Sequence, residues 1–299
     1  MFTANAAGLK QKCDSLKSEL KHLNIGIFSL QETHYKKKGT LSIEGWEIFE
    51  AIRREDFCGT MIGVQKALDP VLIVEYSGDF ELLVVEANIA NKNVRIISGY
   101  GPQECWSVEE RLPFFQALEE EITKAGLAGK SVMISLDANS KLGKEWIPAD
   151  SHNQSPNGKV LSGILKRHAL CVVNSLQGKS KGLITRRRTT VDGDEKSTID
   201  FVILSDDLVE DVESVRTDEE QANCLAKFRK TKGGVKVTKS DHNSIITKFN
   251  VEWSQRIKKH KIKLFNLKNI EGQKKFKLLT SKPGILSDIF KDETRDIES

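Results

Sequence analysis

Short apolar runs of strand length alternate along the chain with a few longer amphipathic segments. Leu9, Cys13, Leu16, Leu20 and Leu23 recur at steps of four and three, which returns side chains to one face and predicts a helix over residues 7–23. A second helix is predicted over 108–124, with Leu112, Phe115, Leu118 and Ile122 on one face. Residues 80–89 and 94–100 read as paired strands around the polar turn Asn91-Lys92-Asn93. The runs 25–30, 131–136, 171–174, 199–204 and 245–249 have strand length, whereas the strand before Asn5 is nearly absent. Many strands with few interspersed helices imply a layered α/β domain with two packed sheets. One domain is expected over residues 1–250, followed by a basic linker and tail over 251–299.

The apolar runs stop on polar residues of a restricted kind. The run 2–4 stops at Asn5, 28–30 just before Glu32, 96–99 at Tyr100, and 132–136 at Asp137 and Asn139. Asp200 interrupts another apolar run, and Ser240-Asp241-His242 precedes the last strand. Polar groups gathered at one rim of packed sheets are held rigidly, which is what a site needs. Carboxylates, two carboxamides, a tyrosine and one histidine, without cysteine, make a hard, oxygen-rich set that suits Mg²⁺ or Mn²⁺. A histidine flanked by an acid suits proton transfer or stabilisation of a phosphoryl group in flight. No GxxxxGK[ST] loop is present, which argues against nucleotide hydrolysis of the P-loop type.

Composition narrows the class. With 299 residues, 38% hydrophobic and 29% charged, the chain is that of an ordinary globular protein. No apolar run approaches the ~20 residues that span a bilayer, and the N-terminus lacks the layout of a signal peptide, so no membrane partner and an intracellular location are expected. Five scattered cysteines, without a CxxC pair, read as reduced thiols rather than a disulfide framework or thiolate zinc site. The net charge of +4 is uneven: residues 256–277 hold nine basic residues against Glu271 alone. Such a stretch is either a polyanion contact or a solvated linker.

Taken in order, Asn5-Ala6-Ala7-Gly8-Leu9, Gln31-Glu32-Thr33, Gly99-Tyr100-Gly101-Pro102, Asp137-Ala138-Asn139, Ser197-Thr198-Ile199-Asp200-Phe201 and Ser240-Asp241-His242 resemble the motifs of the endonuclease/exonuclease/phosphatase superfamily. Each motif alone is weak; the six in the family's order cover residues 2–249. Gln31-Glu32-Thr33-His34, the stretch from Asp137-Ala138-Asn139 to Gly143, and Ile184-Thr185-Arg186-Arg187-Arg188 also look like the apurinic-type endonuclease module of non-LTR retrotransposon proteins. The resemblance implies a four-layer sandwich, two packed and mainly antiparallel sheets flanked by helices. It further implies a Mg²⁺- or Mn²⁺-dependent endonuclease that nicks DNA in the nucleus, leaving 3′-hydroxyl and 5′-phosphate ends. A reverse transcriptase domain or subunit outside this chain would be its partner.

The resemblance also assigns roles. Glu32 and Asp241 would hold the metal, Asn5 and Asn139 the scissile phosphate, and Asp137 the attacking water. Asp200 would orient His242 and favour its protonated form, and His242 with Tyr100 would stabilise the transition state. Arg186, Arg187 and Arg188 would lie on DNA, or else form a solvated loop. Asn5 would equally serve as a helix cap, and Tyr100 as a core ring. Asn174, Thr185 and Ser197 read as structural, and His34 as a neighbour of the site or a surface residue. Two departures stand out: Ala7 replaces an Asn or Asp, and Leu136-Asp137-Ala138-Asn139 replaces Gly-Asp-Phe-Asn. Two other readings remain open, a nucleic-acid-binding remnant with weakened catalysis and another phosphoesterase of the superfamily. The Trp-Cys-Asp-Arg stretch of inositol phosphatases is missing at Ser197 to Phe201, which argues against that branch.

Overall fold

The computed structural model describes residues 1–250 except 53–57, 149–152, 191–192, 223–226, 232–233 and 239. The expected linker and tail, with the basic stretch 256–277, lie outside the described residues. In chain order the elements are β1 (Phe2–Asn5), α1 (Cys13–His22), β2 (Ile27–Gln31), β3 (Trp46–Ala51), β4 (Thr60–Gln65), β5 (Val71–Ser77), β6 (Glu81–Ile89) and β7 (Lys92–Tyr100). There follow α2 (Val108–Leu127), β8 (Ser131–Asp137), α3 (Pro156–Arg167), β9 (Leu170–Val172), β10 (Ser180–Lys181), β11 (Arg186–Thr190), β12 (Gly193–Ser197) and β13 (Asp200–Ser205). The last are α4 (Asp206–Val209), β14 (Val212–Thr217), β15 (Lys227–Thr231), β16 (Gly234–Thr238) and β17 (Ile245–Phe249).

Two large sheets carry the fold, in the orders β10-β14-β17-β1-β2-β4-β3 and β5-β6-β7-β8-β13-β9. Most neighbours are antiparallel; β1–β2, β7–β8 and β10–β14 run parallel. Strand alternation sends successive residues to opposite faces, and β6 shows the consequence. Leu83 and Val85 pack between the sheets with Ile62, Val64 and Ile245, while Leu82 and Val84 face Phe114, Leu118 and Leu165 of α2 and α3. On the other side, Phe2, Phe28 and Met61 pack against Leu16 and Leu20 of α1. The result is helix, sheet, sheet, helix, the four-layer α/β sandwich. Continuous apolar runs such as 82–85 and 132–134 follow from burial on both faces.

Several expectations need correction. The first helix begins at Cys13, not at residue 7. Ala7 and Gly8 take φ of +43° and +88°, and the N–H groups of Gly8 and Leu9 donate to Glu32 O and Thr33 O, so this segment is a turn docked on the end of β2. Leu9 keeps its core position without being helical. The strand before Asn5 is complete over four buried residues, paired with β2 on one side and β17 on the other. Leu112 is exposed; the buried face of α2 instead uses Phe114, Phe115, Leu118 and Ile122. Helix α3 carries its start signals in the sequence, with Ser155 accepting from Gly158 N and Pro156 in the first turn. No helix among the described residues is long and apolar enough to cross a membrane.

Candidate active site

Four strands approach one rim with the same three-step pattern. Inward-facing positions read Met1-Thr3-Asn5 into and along β1, Ile27-Ser29-Gln31 on β2, Ile96-Ser98-Tyr100 on β7 and Met133-Ser135-Asp137 on β8. The first residue of each lies in the apolar layer between the sheets. The second is a hydroxyl that bonds across the layer: Thr3 Oγ1 to Ser135 Oγ at 2.9 Å and Ser29 Oγ to Ser98 Oγ at 2.6 Å. Gln31 Nε2 donates to Ser29 Oγ at 3.1 Å and Ser98 Oγ at 3.2 Å. These bonds pair the buried hydroxyls and the Gln31 amide nitrogen, while the buried Gln31 Oε1 has no hydrogen-bond partner among the described residues. The third residue of β1, β7 and β8 then reaches the site, while Gln31 of β2 stays with the hydroxyls; register Tyr100↔Asp137 and Asp200↔Asp137 aligns three strands.

At the rim, Asn5 Nδ2 donates to Glu32 Oε1 at 2.9 Å and Asp137 Oδ2 at 2.8 Å, while its Oδ1 accepts from Ala7 N at 2.9 Å. Asn5 is therefore a junction between two carboxylates, not a helix cap. Asp137 Oδ1 also accepts from Asn139 N at 3.2 Å, and Asn139 Nδ2 donates to Gly101 O at 2.9 Å. A side chain at Gly101 would meet Ala138 O at 2.6 Å, which explains the glycine there. His242 Nδ1 lies 3.1 and 3.0 Å from the two oxygens of Asp200 and 3.9 Å from Asp137 Oδ2. Asp137, Asp200 and His242 are all buried.

Electrostatics follow from this crowding. Burial and the charge of Asp200 raise Asp137 to about 7, against the opposing pull of His242 and Asn5. Burial alone would lower His242, but the charges of Asp200 and Asp137 overcome it and raise the imidazole to about 10. Burial, with Asp137 and Glu32 nearby, raises the Tyr100 phenol. Glu32 is held low: burial opposes it, and hydrogen bonds from His34 and Asn5 with the charge of His242 outweigh burial. At neutral pH the site therefore holds a cationic histidine, a neutral phenol and an ionised Glu32, with Asp137 near its titration point.

Asp200 is fixed from behind. Thr185 Oγ1 accepts from Ile199 N at 2.9 Å and Asp200 N at 3.0 Å, and Asn174 Nδ2 donates to Asp200 O at 2.8 Å. Asn243 N donates to Thr185 O at 2.7 Å, which couples the Asp200 and His242 segments through one threonine. Arg186 forms a β-bridge with His242, and Arg187 N donates to Asp241 O at 2.7 Å. Arg187 Nη2 donates to Glu219 Oε2 at 3.0 Å, so this arginine anchors the β11–β12 hairpin to the body. Arg188 is exposed opposite Glu195. Asp241 is half-buried next to His242 and contributes to the raising of its pKa.

Sequence reasoning left the place of His34 open and missed Lys12. His34 Nε2 lies 3.6 Å from Glu32 Oε2, beside a proposed metal ligand. The buried Lys12 ammonium donates to Ala6 O, and to Ala7 O at 3.3 Å, in the turn that follows Asn5. Its only sequence signal is a lysine amid the apolar spacing of a predicted helix. Glu32 and Ala7, with φ of +50° and +43°, occupy a left-handed conformation that costs roughly 1–2 kcal/mol for such residues. Asn139, at +44°, tolerates that region better.

The donor set fits a divalent cation. Ligand atoms of Asp137, Asp200 and His242 lie within 4.8 Å of one another, and Glu32 adds a carboxylate joined to Asp137 through Asn5. An ion bound to His242 Nδ1 would displace its hydrogen bond to Asp200. Ligation there and an intact Asp200–His242 pair are thus alternative uses of one nitrogen.

No family model matches the chain, and no curated protein matches it. Solved structures do. The endonuclease domain of TRAS1, a telomere-specific non-LTR retrotransposon, is similar at TM-score 0.59 and 18% identity, over 84% of this chain and 98% of that one. The AP endonuclease LMAP from Leishmania major is similar at TM-score 0.62 and 13% identity, over 82% and 86%. The mannosyl-6-phosphatase Bt3783 from Bacteroides thetaiotaomicron is similar at TM-score 0.57 and 11% identity, over 83% and 97%. At these identities the likeness is one of fold: the chain shares its four-layer α/β sandwich with these nuclease and phosphatase structures.

Proposed function

We propose that the chain is a divalent-metal-dependent DNA endonuclease that nicks one strand and leaves 3′-hydroxyl and 5′-phosphate ends, acting in the nucleus at retrotransposon target sites. The observation that carries the reading is the convergence of Asp137, Asp200 and His242 at a buried rim, with Asn5 bridging Asp137 to Glu32. Mg²⁺ or Mn²⁺ held by Glu32 and Asp241 would supply Lewis-acid charge next to the phosphate. Asn5 and Asn139 orient the phosphodiester. Asp137 takes a proton as water oxygen forms its bond to phosphorus, the bond to the 3′-oxygen breaks, and that oxygen is protonated from solvent. His242, kept cationic by Asp200, and the Tyr100 phenol donate to the non-bridging oxygens, where charge grows in the transition state. Arg186 and Arg188 would lie on DNA phosphates, and a reverse transcriptase domain or subunit outside this chain would use the 3′-hydroxyl.

The fold by itself also serves a sugar phosphatase, so substrate choice rests on the assay. Supercoiled plasmid with Mg²⁺ should become open-circular, with nicks that ligase reseals without prior end repair. Excess chelator should abolish the conversion. Plasmid left intact in Mg²⁺ and Mn²⁺, alongside release of phosphate from monoesters, would place the chain with the phosphatases.

Ala7 offers a finer test. Asparagine tolerates positive φ better than alanine, and its amide oxygen would give a cation or its water another contact. Ala7→Asn is expected to lower the Mg²⁺ concentration for half-maximal nicking several-fold without changing the products. An unchanged titration would show that the position does not serve the metal.

A further inference from the structure

Glu81 opens β6 and is only 1% exposed. Both of its carboxylate oxygens accept from Gly59 N, each at 2.9 Å, and Oε2 also accepts from Thr60 Oγ1 at 3.2 Å. A buried carboxylate is tolerated where such bonds satisfy it. Thr60 opens β4, so this one side chain joins the two large sheets. The β6–β7 register sets Glu81 opposite Tyr100, which places both side chains on one face.

What Glu81 holds in turn holds the segment of Glu32. Thr33 N donates to Gly59 O at 2.9 Å and His34 N to Cys58 O at 2.8 Å. From the other side, Gly8 N and Leu9 N donate to Glu32 O and Thr33 O, so residues 32–34 lie between two turns. The segment needs that support. Glu32 and His34 take φ of +50° and +55°, a left-handed conformation that such residues keep only when their surroundings impose it. Gly59, at φ +112°, lies so close to the segment that a Cβ there would strike Thr33 Oγ1. A chain of bonds thus runs from the sheet of Tyr100 and Asp137, through Glu81 and Gly59, to the arm that carries Glu32.

We propose that Glu81 is a positioning residue for the arm Glu32-Thr33-His34, fixing the place of Glu32 relative to Tyr100 and Asp137. The proposal rests on the metal-dependent nuclease reading for the task of Glu32, whereas the fixing of the arm does not. Partners that orient metal ligands typically set metal affinity by about 10–100-fold. Glu81 acts at one remove, so the lower end of that range is expected.

Glu81→Leu removes the acceptors at similar size, and Glu81→Gln keeps one for Gly59 N. Glu121→Leu is the control for loss of a buried carboxylate elsewhere, since Glu121 binds Arg95 towards the other end of β7 from Tyr100. The first measurement is amide hydrogen exchange of the full chain in chelator. Exchange at Thr33 and His34, relative to β8, should rise about tenfold in Glu81→Leu and stay at the parent ratio in the other two. The second is calorimetric binding of Mn²⁺ alone. Its Kd should rise about tenfold in Glu81→Leu and stay within about threefold of the parent in the others. In nicking assays the Mg²⁺ requirement of Glu81→Leu should rise likewise, with kcat at saturating Mg²⁺ within about threefold. Glu81→Asp keeps the charge but withdraws the acceptors by one carbon; it should shift both readouts the same way, and it carries the test if Glu81→Leu does not fold. An unchanged exchange ratio, or an equal weakening of Mn²⁺ binding in Glu121→Leu, would overturn the proposal. If the parent neither binds Mn²⁺ nor nicks, yet the ratio rises in the Glu81 variants that lose the bonds, the metal reading fails and the fixing of the arm stands.

Discussion

Alanine at either Asp200 or His242 is expected to lower the nicking rate by about 10²–10⁴, and alanine at both to lower it little further than the worse single change. The two act as one device. Both Asp200 oxygens lie within 3.1 Å of His242 Nδ1, so the carboxylate fixes ring orientation and holds the proton there. Without Asp200 the imidazole loses the foremost of the charges that raise its pKa to about 10, so the donor to the phosphoryl oxygens holds its proton less firmly. Without His242, Asp200 has nothing to orient. Multiplicative losses in the double variant would show that they act separately. Stability gives an independent check. The folded pKa of about 10 exceeds the ordinary 6.5, so the pair stabilises the fold fully below pH 6.5, and this contribution is lost as pH rises through 10. His242→Ala should therefore flatten the fall in melting temperature between those limits.

The resemblance rested on residues at strand ends, and the structure shows why those were legible. A period-2 strand buried on both faces must change chemistry where it leaves the core. Met133-Ser135-Asp137 and Ile96-Ser98-Tyr100 make that change in two steps, visible as an apolar run ending in a hydroxyl and then a functional group. Asp200 and His242 were legible as polar intrusions beside apolar runs, although their 42-residue separation leaves their contact to the fold. The start of the first helix was not legible. Leu9 has helical spacing from Cys13 and Leu16, but its core position comes from a turn whose N–H groups are satisfied by the end of β2. Periodicity cannot distinguish those two ways of burying one leucine. The roles of Thr185 and Asn174 were equally hidden, since a threonine that accepts from Ile199 and Asp200 resembles any loop threonine in sequence.

Asp137→Asn should lower nicking by about 10²–10⁴ and, unlike the Asp200 and His242 changes, remove the acid limb of the pH profile. Burial and the Asp200 charge raise Asp137 to about 7. Below that pH the carboxyl holds its proton and cannot accept one from water; above it the base is available. His242 stays cationic until about pH 10, so kcat/KM for the parent should rise through pH 7 and fall through pH 10. Asp137 Oδ2 is only 3.9 Å from His242 Nδ1, so both limbs belong to the cluster rather than to isolated residues. That coupling adds a second signature. The substitution removes a negative charge that helps His242 keep its proton, so the basic limb should shift to lower pH as the acid limb disappears. Asn5 sharpens the comparison, because its Nδ2 can still donate to the amide oxygen of the substituted side chain, and the bridge to Glu32 can survive. A variant that retains the acid limb at its original position would mean that another group deprotonates the water, with Asp137 serving only to orient Asn5 and Asn139.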